Sequence, residues 1–156
     1  MTKRIHAAAG ITAMTLVATF MVATIGAELV GDPSAVLAVK TAILFALSVL
    51  IPSVMIAGAS GRSLAARRTS TLLRRKRRRG TIVAVVGITV LVPCAVVLRA
   101  LAADREFGTA FVLLQGLELA GGATNLTLLW LNARAGRRLR LGVRRTARKD
   151  SIVGSA

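Results

Sequence analysis

The residues with chemical potential are few, and most sit inside apolar sequence. Gln115, Glu118, Gly122 and Asn125 follow one another at spacings of 3, 4 and 3, so a helix through them carries all four on one face. Lys40 and Arg99 are basic residues flanked by long apolar runs. A carboxylate facing lipid without a partner is very costly, so the Glu118 face must point inward. Lys40 and Arg99 are its natural partners, because their long side chains reach inward while staying near an interface. Glu28 is positioned to join them. The expectation is one intramembrane polar cluster of Lys40, Arg99, Gln115, Glu118 and Asn125, with Glu118 paired to Arg99 or Lys40. Such a cluster binds a proton, a cation or a polar substrate, or else its charges only satisfy one another and fix helix register. Both readings stay open.

Other chemistry has little to work with. The chain has one histidine, His6, and one cysteine, Cys94. Two-histidine haem ligation within one chain is therefore excluded, as is an intramolecular disulfide. A His6 and Met55 ligand pair is conceivable from depth alone, but nothing selects it. Met14, Met21 and Cys94 fall at different depths and make no soft-metal site. Phosphate loops, nucleophile elbows and zinc spacings are missing from the sequence. The expectation is no cofactor, no metal and no catalytic residue.

The elements that position the cluster follow from composition. Over half of the 156 residues (54%) are hydrophobic, yet Lys+Arg number 22 against 6 Asp+Glu. Segregation of these two features along a chain marks a multi-span membrane protein. Four runs suffice to cross a hydrocarbon core as helices: Ala7–Ala27, Ala35–Ala57, Thr81–Leu101 and Thr109–Leu131. Glu118 then lies near the middle of the fourth span, with Lys40 and Arg99 about 10 Å from the midplane at 1.5 Å per residue. The first run exceeds the apolar length of a signal peptide, and Ile25 makes a poor cleavage-site residue, so it reads as a retained helix.

Charge sets the orientation. Lys3 and Arg4, the basic loop 62–80 and the basic tail 134–156 hold nineteen of the 22 basic residues, all on one side of a four-span layout. That side is the cytoplasm, with both termini in it. The run Arg74–Arg79 would suggest nucleic acid in a soluble protein, but no aromatic residue is interleaved to stack on bases. Anionic lipid headgroups are the expected partner instead. Arginine outnumbers lysine strongly, which points to a GC-rich bacterial genome and an inner (plasma) membrane.

A shift of 75 residues places Lys40 on Gln115 and Gly61-Arg62 on Gly136-Arg137. The fold class is thus an all-α membrane protein, a four-transmembrane-helix bundle built as two tandem helical hairpins. Gly116 and Ala120 form a small-xxx-small pair, followed by Gly121-Gly122-Ala123, for close helix packing, and Pro52 and Pro93 are expected to bend their helices. The segments LIPSVMIAGASGRSLA, RRKRRRGTIVAVVGITVLVPC and FVLLQGLELAGGATNLTLLWLNARAG resemble a family of small bacterial four-helix transmembrane proteins to which no activity is attached. The resemblance implies that Lys40, Gln115, Glu118 and Asn125 belong to the segments that characterise that family.

Three functions fit. The first is a non-enzymatic accessory or structural membrane component, alone, as a homo-oligomer or within a larger membrane complex. The second is a small proton- or cation-coupled transporter using Glu118. The third, a haem- or quinone-associated redox subunit, is disfavoured by the single histidine and few aromatics.

Overall fold

The computed structural model describes the backbone of residues 2–65 and 71–153, and the side chains of 4–61, 74–75 and 78–137. Every regular element among them is helical: α1 (Thr2–Val30), α2 (Pro33–Ala65), α3 (Thr71–Val86), α4 (Val92–Ala103) and α5 (Thr109–Val153). A π-helical turn, Gly87–Leu91, joins α3 to α4 without a break, so the five helices make four rods. Long runs of Ala, Leu and Val form helices because only intrasegment hydrogen bonds satisfy the backbone away from water. The hydroxyls comply too. Thr89, Thr124 and Thr127 are exposed, and each donates to the carbonyl four residues back, at 2.8, 2.9 and 2.8 Å.

The turns are shorter than the apolar runs suggest. Only Gly31 and Asp32 separate α1 from α2. Gly31 takes φ +71° and donates to the Ala27 carbonyl at 3.1 Å, a left-handed cap that suits glycine. Asp32 then starts α2, with Pro33 at its first position. The Asp32 carboxylate accepts from the Ser34 N–H (3.0 Å) and hydroxyl (2.6 Å). The Ser34 hydroxyl, more than any other contact, holds that carboxyl below its usual range.

Between α4 and α5 the chain turns over 104–108. Arg105 occupies the left-handed region at φ 57°, its N–H bonded to Ala102, while the Glu106 N–H reaches the Leu101 carbonyl at 2.8 Å. This is a Schellman cap with arginine where glycine is preferred. Phe107 packs edge-on against Phe111, ring centroids 5.0 Å apart, and pins the turn to α5.

Two-residue and five-residue turns make antiparallel neighbours. α1 packs on α2, and the α3–α4 rod packs on α5. The pairs close by contacts of α2 with the α3–α4 rod and of α1 with α5. The rods therefore follow one another around a ring, and α2 and α5 face each other across its centre without a close backbone approach. One buried cluster gathers Ala27, Val36, Leu98 and Phe111 from all four rods; a second joins Ile43, Leu47 and Ala95.

Three helical stretches are long and apolar enough to cross a membrane: Arg4–Val30, Pro33–Gly61 and Arg78–Ala103. α5 is not among them. Gln115, Glu118 and Asn125, with three glycines, dilute its apolar content. The basic segment expected as a loop at 62–80 is largely helical: α2 continues to Ala65 and α3 starts at Thr71, so Arg74–Arg79 are helix turns. Residues 66–70 lie outside the described residues. The tail, likewise, continues α5 unbroken to Val153.

The cap at Arg105 generates a stability prediction. Arg105→Gly relieves a left-handed backbone conformation that costs a side-chain-bearing residue about 1 kcal/mol. The variant is expected to resist unfolding in mixed detergent micelles more than the parent, by about that amount. Equal or lower stability would contradict the assignment.

Candidate functional site

The site is built by the inward faces of α2, α4 and α5. On α4, Cys94, Ala95, Leu98 and Ala102 are buried, an inward stripe at helical spacing. On α5, Phe111, Gln115, Gly122 and Asn125 are buried and Glu118 nearly so. On α2 the stripe is Val36, Lys40, Ile43 and Leu47. Lys40 is the largest fully buried side chain together with Leu98.

Lys40 Nζ donates to Glu118 Oε2 at 2.5 Å, an ion pair between α2 and α5 through the middle of the ring. Of the two partners expected for Glu118, the structure selects Lys40. Arg99 does not join. It follows Leu98 by one residue, a rotation of roughly 100° that puts it on the exposed outer face. Near the end of α4 its stem can lie along that face and carry the guanidinium outward. Glu28 is exposed as well and stays apart from the pair. Cys94 sits within electrostatic reach of both Lys40 and Glu118.

Gln115 lies one turn before Glu118 on α5 and is buried. Neither its amide nitrogen nor its amide oxygen has a partner among the described residues. Asn125 lies two turns the other way. Its Nδ2 donates to the Val83 carbonyl at 3.3 Å, while its Oδ1 is buried without a partner. The polar face of α5 is thus inward as expected, but it is a line along the helix. Asn125 meets α3, not the ion pair.

Below Glu118, toward Asn125, a cavity of about 60 Å³ opens between the rods. Phe20, Met21, Thr24, Ile43 and Ala95 contribute to its wall, and Glu118 is the only charged residue there. The volume is large enough for a few waters, and Glu118 and Thr24 are the polar side chains on its wall.

One feature escaped the sequence reading. The π turn Gly87–Leu91 carries the bond from the Val92 N–H to the Gly87 carbonyl. It ends two residues before Pro93, which lacks an N–H and crowds the carbonyl four residues back. Widening one turn accommodates both defects. Gly87 faces the Asn125 amide, 3.7 Å from where its Cβ would stand. A glycine one and a half turns before the proline was the available signal. Of the small residues expected to pack, Gly116 and Ala120 are exposed, with nothing near Gly116. Gly121 and Gly122 do make close approaches: Cβ atoms there would stand 2.7 Å from Leu91 Cδ2 and 3.4 Å from Met21 Cγ.

His6 is tied to the far end of α2. Its Nδ1 lies 3.0 Å from the Ala57 carbonyl and 3.1 Å from the Ser60 hydroxyl. A carbonyl only accepts, so Nδ1 carries the proton. A Cβ at Gly61 would lie 3.2 Å from His6 Cε1, which explains the glycine. Met55 is 64% exposed on the outer surface, and the His6 and Met55 pair does not form. No group of three metal-ligating side chains occurs among the described residues.

Compared with known proteins, the chain matches no protein family, no curated relative and no solved structure.

The buried pair makes a sharp mutational prediction. Lys40→Met or Glu118→Leu alone leaves an uncompensated charge inside the bundle, and each is expected to cost about 3 kcal/mol. The double substitution removes both charges and is expected to recover most of that loss. Unfolding titrations of the four proteins in mixed micelles read the coupling directly. Additive losses in the double variant would mean that the two side chains do not meet.

Proposed function

We propose that the chain is a four-span protein of the bacterial inner membrane, with both termini and the basic segments in the cytoplasm, acting as a non-enzymatic accessory or structural component. The observation that carries this reading is its inverted polarity. The outward faces bear Leu29, Phe45, Val22 and Leu113, each more than two-thirds exposed, while a lysine and a glutamate meet in the interior. Water would disfavour such an arrangement; lipid favours it. α5 joins the spans on the same ground, since Val112, Leu113 and Leu117 face outward while Gln115, Glu118 and Asn125 face inward. Trp130 lies one turn before Arg134, whose guanidinium stands 5.4 Å from the ring, an amphipathic pair suited to the inner interface. Tandem duplication of a hairpin fits the matching places of Lys40 and Gln115, both buried seven or eight positions after the turn.

The accessory role follows from how the polar groups are used. Lys40 and Glu118 neutralise each other, Asn125 bonds a backbone carbonyl, and His6 bonds the end of α2. The cavity is too small for a solute of appreciable size. The transporter reading has one observation in its favour, the place of Glu118 in the cavity wall. A proton-coupled role would need the pair to break in each cycle, which is costly away from water.

Two measurements test the proposal. In a Cys94→Ser background, single cysteines at Ser34 and Gly108 are expected to react with an impermeant thiol reagent from outside intact cells. A cysteine at Arg137 should react only after permeabilisation. Outside labelling at Arg137 would remove α5 from the membrane layout. In proteoliposomes, proton and potassium flux is expected to match protein-free vesicles. Flux above that baseline that disappears in Glu118→Gln would replace the accessory role with transport.

A further inference from the structure

The hydrogen-bonding capacity around the ion pair is largely unspent. Lys40 has three N–H donors, and one of them reaches Glu118 Oε2. Glu118 Oε1 receives no donor from the described residues. Gln115, one turn outward, offers two donors and an acceptor, with none engaged. These groups are enclosed: the Lys40 and Glu118 side chains are 1% and 12% exposed, and Gln115 is 7% exposed. Lipid tails supply neither donors nor acceptors, so an occupant of the site must supply both.

Charge and size narrow the choice. Lys40 and Glu118 sum to zero, so an ion of either sign adds a charge that no nearby group offsets. The occupant is therefore neutral. It must accept from Lys40 and the Gln115 amide nitrogen, and donate to Glu118 Oε1 and the Gln115 amide oxygen. The adjoining cavity of about 60 Å³, reached through Glu118, admits a few waters and little else.

We infer that Lys40, Glu118 and Gln115 form an internal water-binding site. Its waters bridge the ammonium, the unpaired carboxylate oxygen and the orphaned amide, and they extend into the cavity beneath Glu118. The site lies close to the outer turns, with Lys40 eight positions into α2 and Gln115 seven into α5. Its waters exchange with the outer solution from there. Lys40 and Glu118 thereby remain in proton exchange with bulk water although both are buried. The inference rests on the four-span layout proposed above and holds whether the protein is an accessory component or a transporter.

Gln115 is the only glutamine in the chain, so side-chain ¹⁵N-labelled glutamine gives a single reporter. The test is water-edited solid-state NMR on the full chain in lipid bilayers. Magnetisation from water is expected to reach the Gln115 side-chain amide nearly as fast as exposed arginine side chains, and to disappear in deuterated water. Transfer as slow as that to the backbone amide of buried Leu98 would overturn the inference. So would transfer that survives deuteration, since the source would then be lipid or a trapped solute. Ala95→Leu fills the cavity from α4 and is expected to lose part of the transfer while the protein stays folded. Gln115→Leu provides a thermodynamic check that needs no spectrum. A wet amide makes this variant less stable than the parent, whereas a dry orphaned amide makes it more stable, which would also overturn the inference.

Discussion

A lysine ammonium at the centre of an apolar bundle must meet an anion there, and this requirement organises the molecule. Lys40 leaves α2 and Glu118 leaves α5, two rods that do not approach each other closely. Their side chains together bridge the middle of the ring. That span needs long, flexible side chains, and a shorter pair would force the rods inward. It also sets the rotation of both helices, because a turn of either rod by one residue would carry its charge about 100° away from the centre. In lipid, packing alone fixes such rotations weakly, because the tails are as apolar as the side chains. The ion pair supplies the missing register information.

The burden of polarity falls unequally on the rods. α1, α2 and the α3–α4 rod are apolar enough to enter a membrane by composition, whereas α5 carries Gln115, Glu118 and Asn125 and does not reach that mark. α5 is therefore the rod whose polar residues depend most on its neighbours for cover. Its polar face is covered by α1, α3, α4 and the π turn, and its outer face is left to Val112, Leu113 and Leu117. Gly121 and Gly122 allow Leu91 and Met21 to close over that face. The same residues that dilute the hydropathy of α5 also fasten it in place.

Much of this was legible in the sequence, and the boundary between readable and unreadable has a physical origin. The rods follow from the length of the apolar runs. The inward face of α5 follows from polar residues at spacings of 3, 4 and 3, because polarity inside lipid points one way. α4 offers no such marker. It is apolar nearly all round, so the stripe of Cys94, Ala95, Leu98 and Ala102 is indistinguishable by residue type from the opposite face. Arg99 was expected inward because it is charged, yet near a helix end a long basic side chain does equally well outward. Gly116 and Ala120 failed as packing residues for a related reason, since small size permits close approach on any face and does not say which face is used. Charge alone marks the central basic segment as a loop, although arginine is a good helix former and α3 begins within it.

The π turn shows how a local defect serves this arrangement. Pro93 removes one helical N–H and crowds the preceding turn, and the rod absorbs both by widening over Gly87–Leu91. A π turn inserts one extra residue, which rotates everything beyond it by about 100° relative to an uninterrupted helix. The residues beyond it are Cys94, Ala95 and Leu98, the inward stripe that walls the ion pair and its cavity. With an uninterrupted α-helix in register with α3, the inward place that Leu98 holds would pass to Val97, and Cys94, Ala95, Leu98 and Ala102 would each turn about 100° away from it. On the near side of the turn, Asn125 holds Val83 and faces Gly87, anchoring α3 to α5 before the rotation occurs. The proline-linked turn thus sets which face of α4 looks inward, placing Cys94, Ala95, Leu98 and Ala102 there in phase with the contact that α3 makes at Val83.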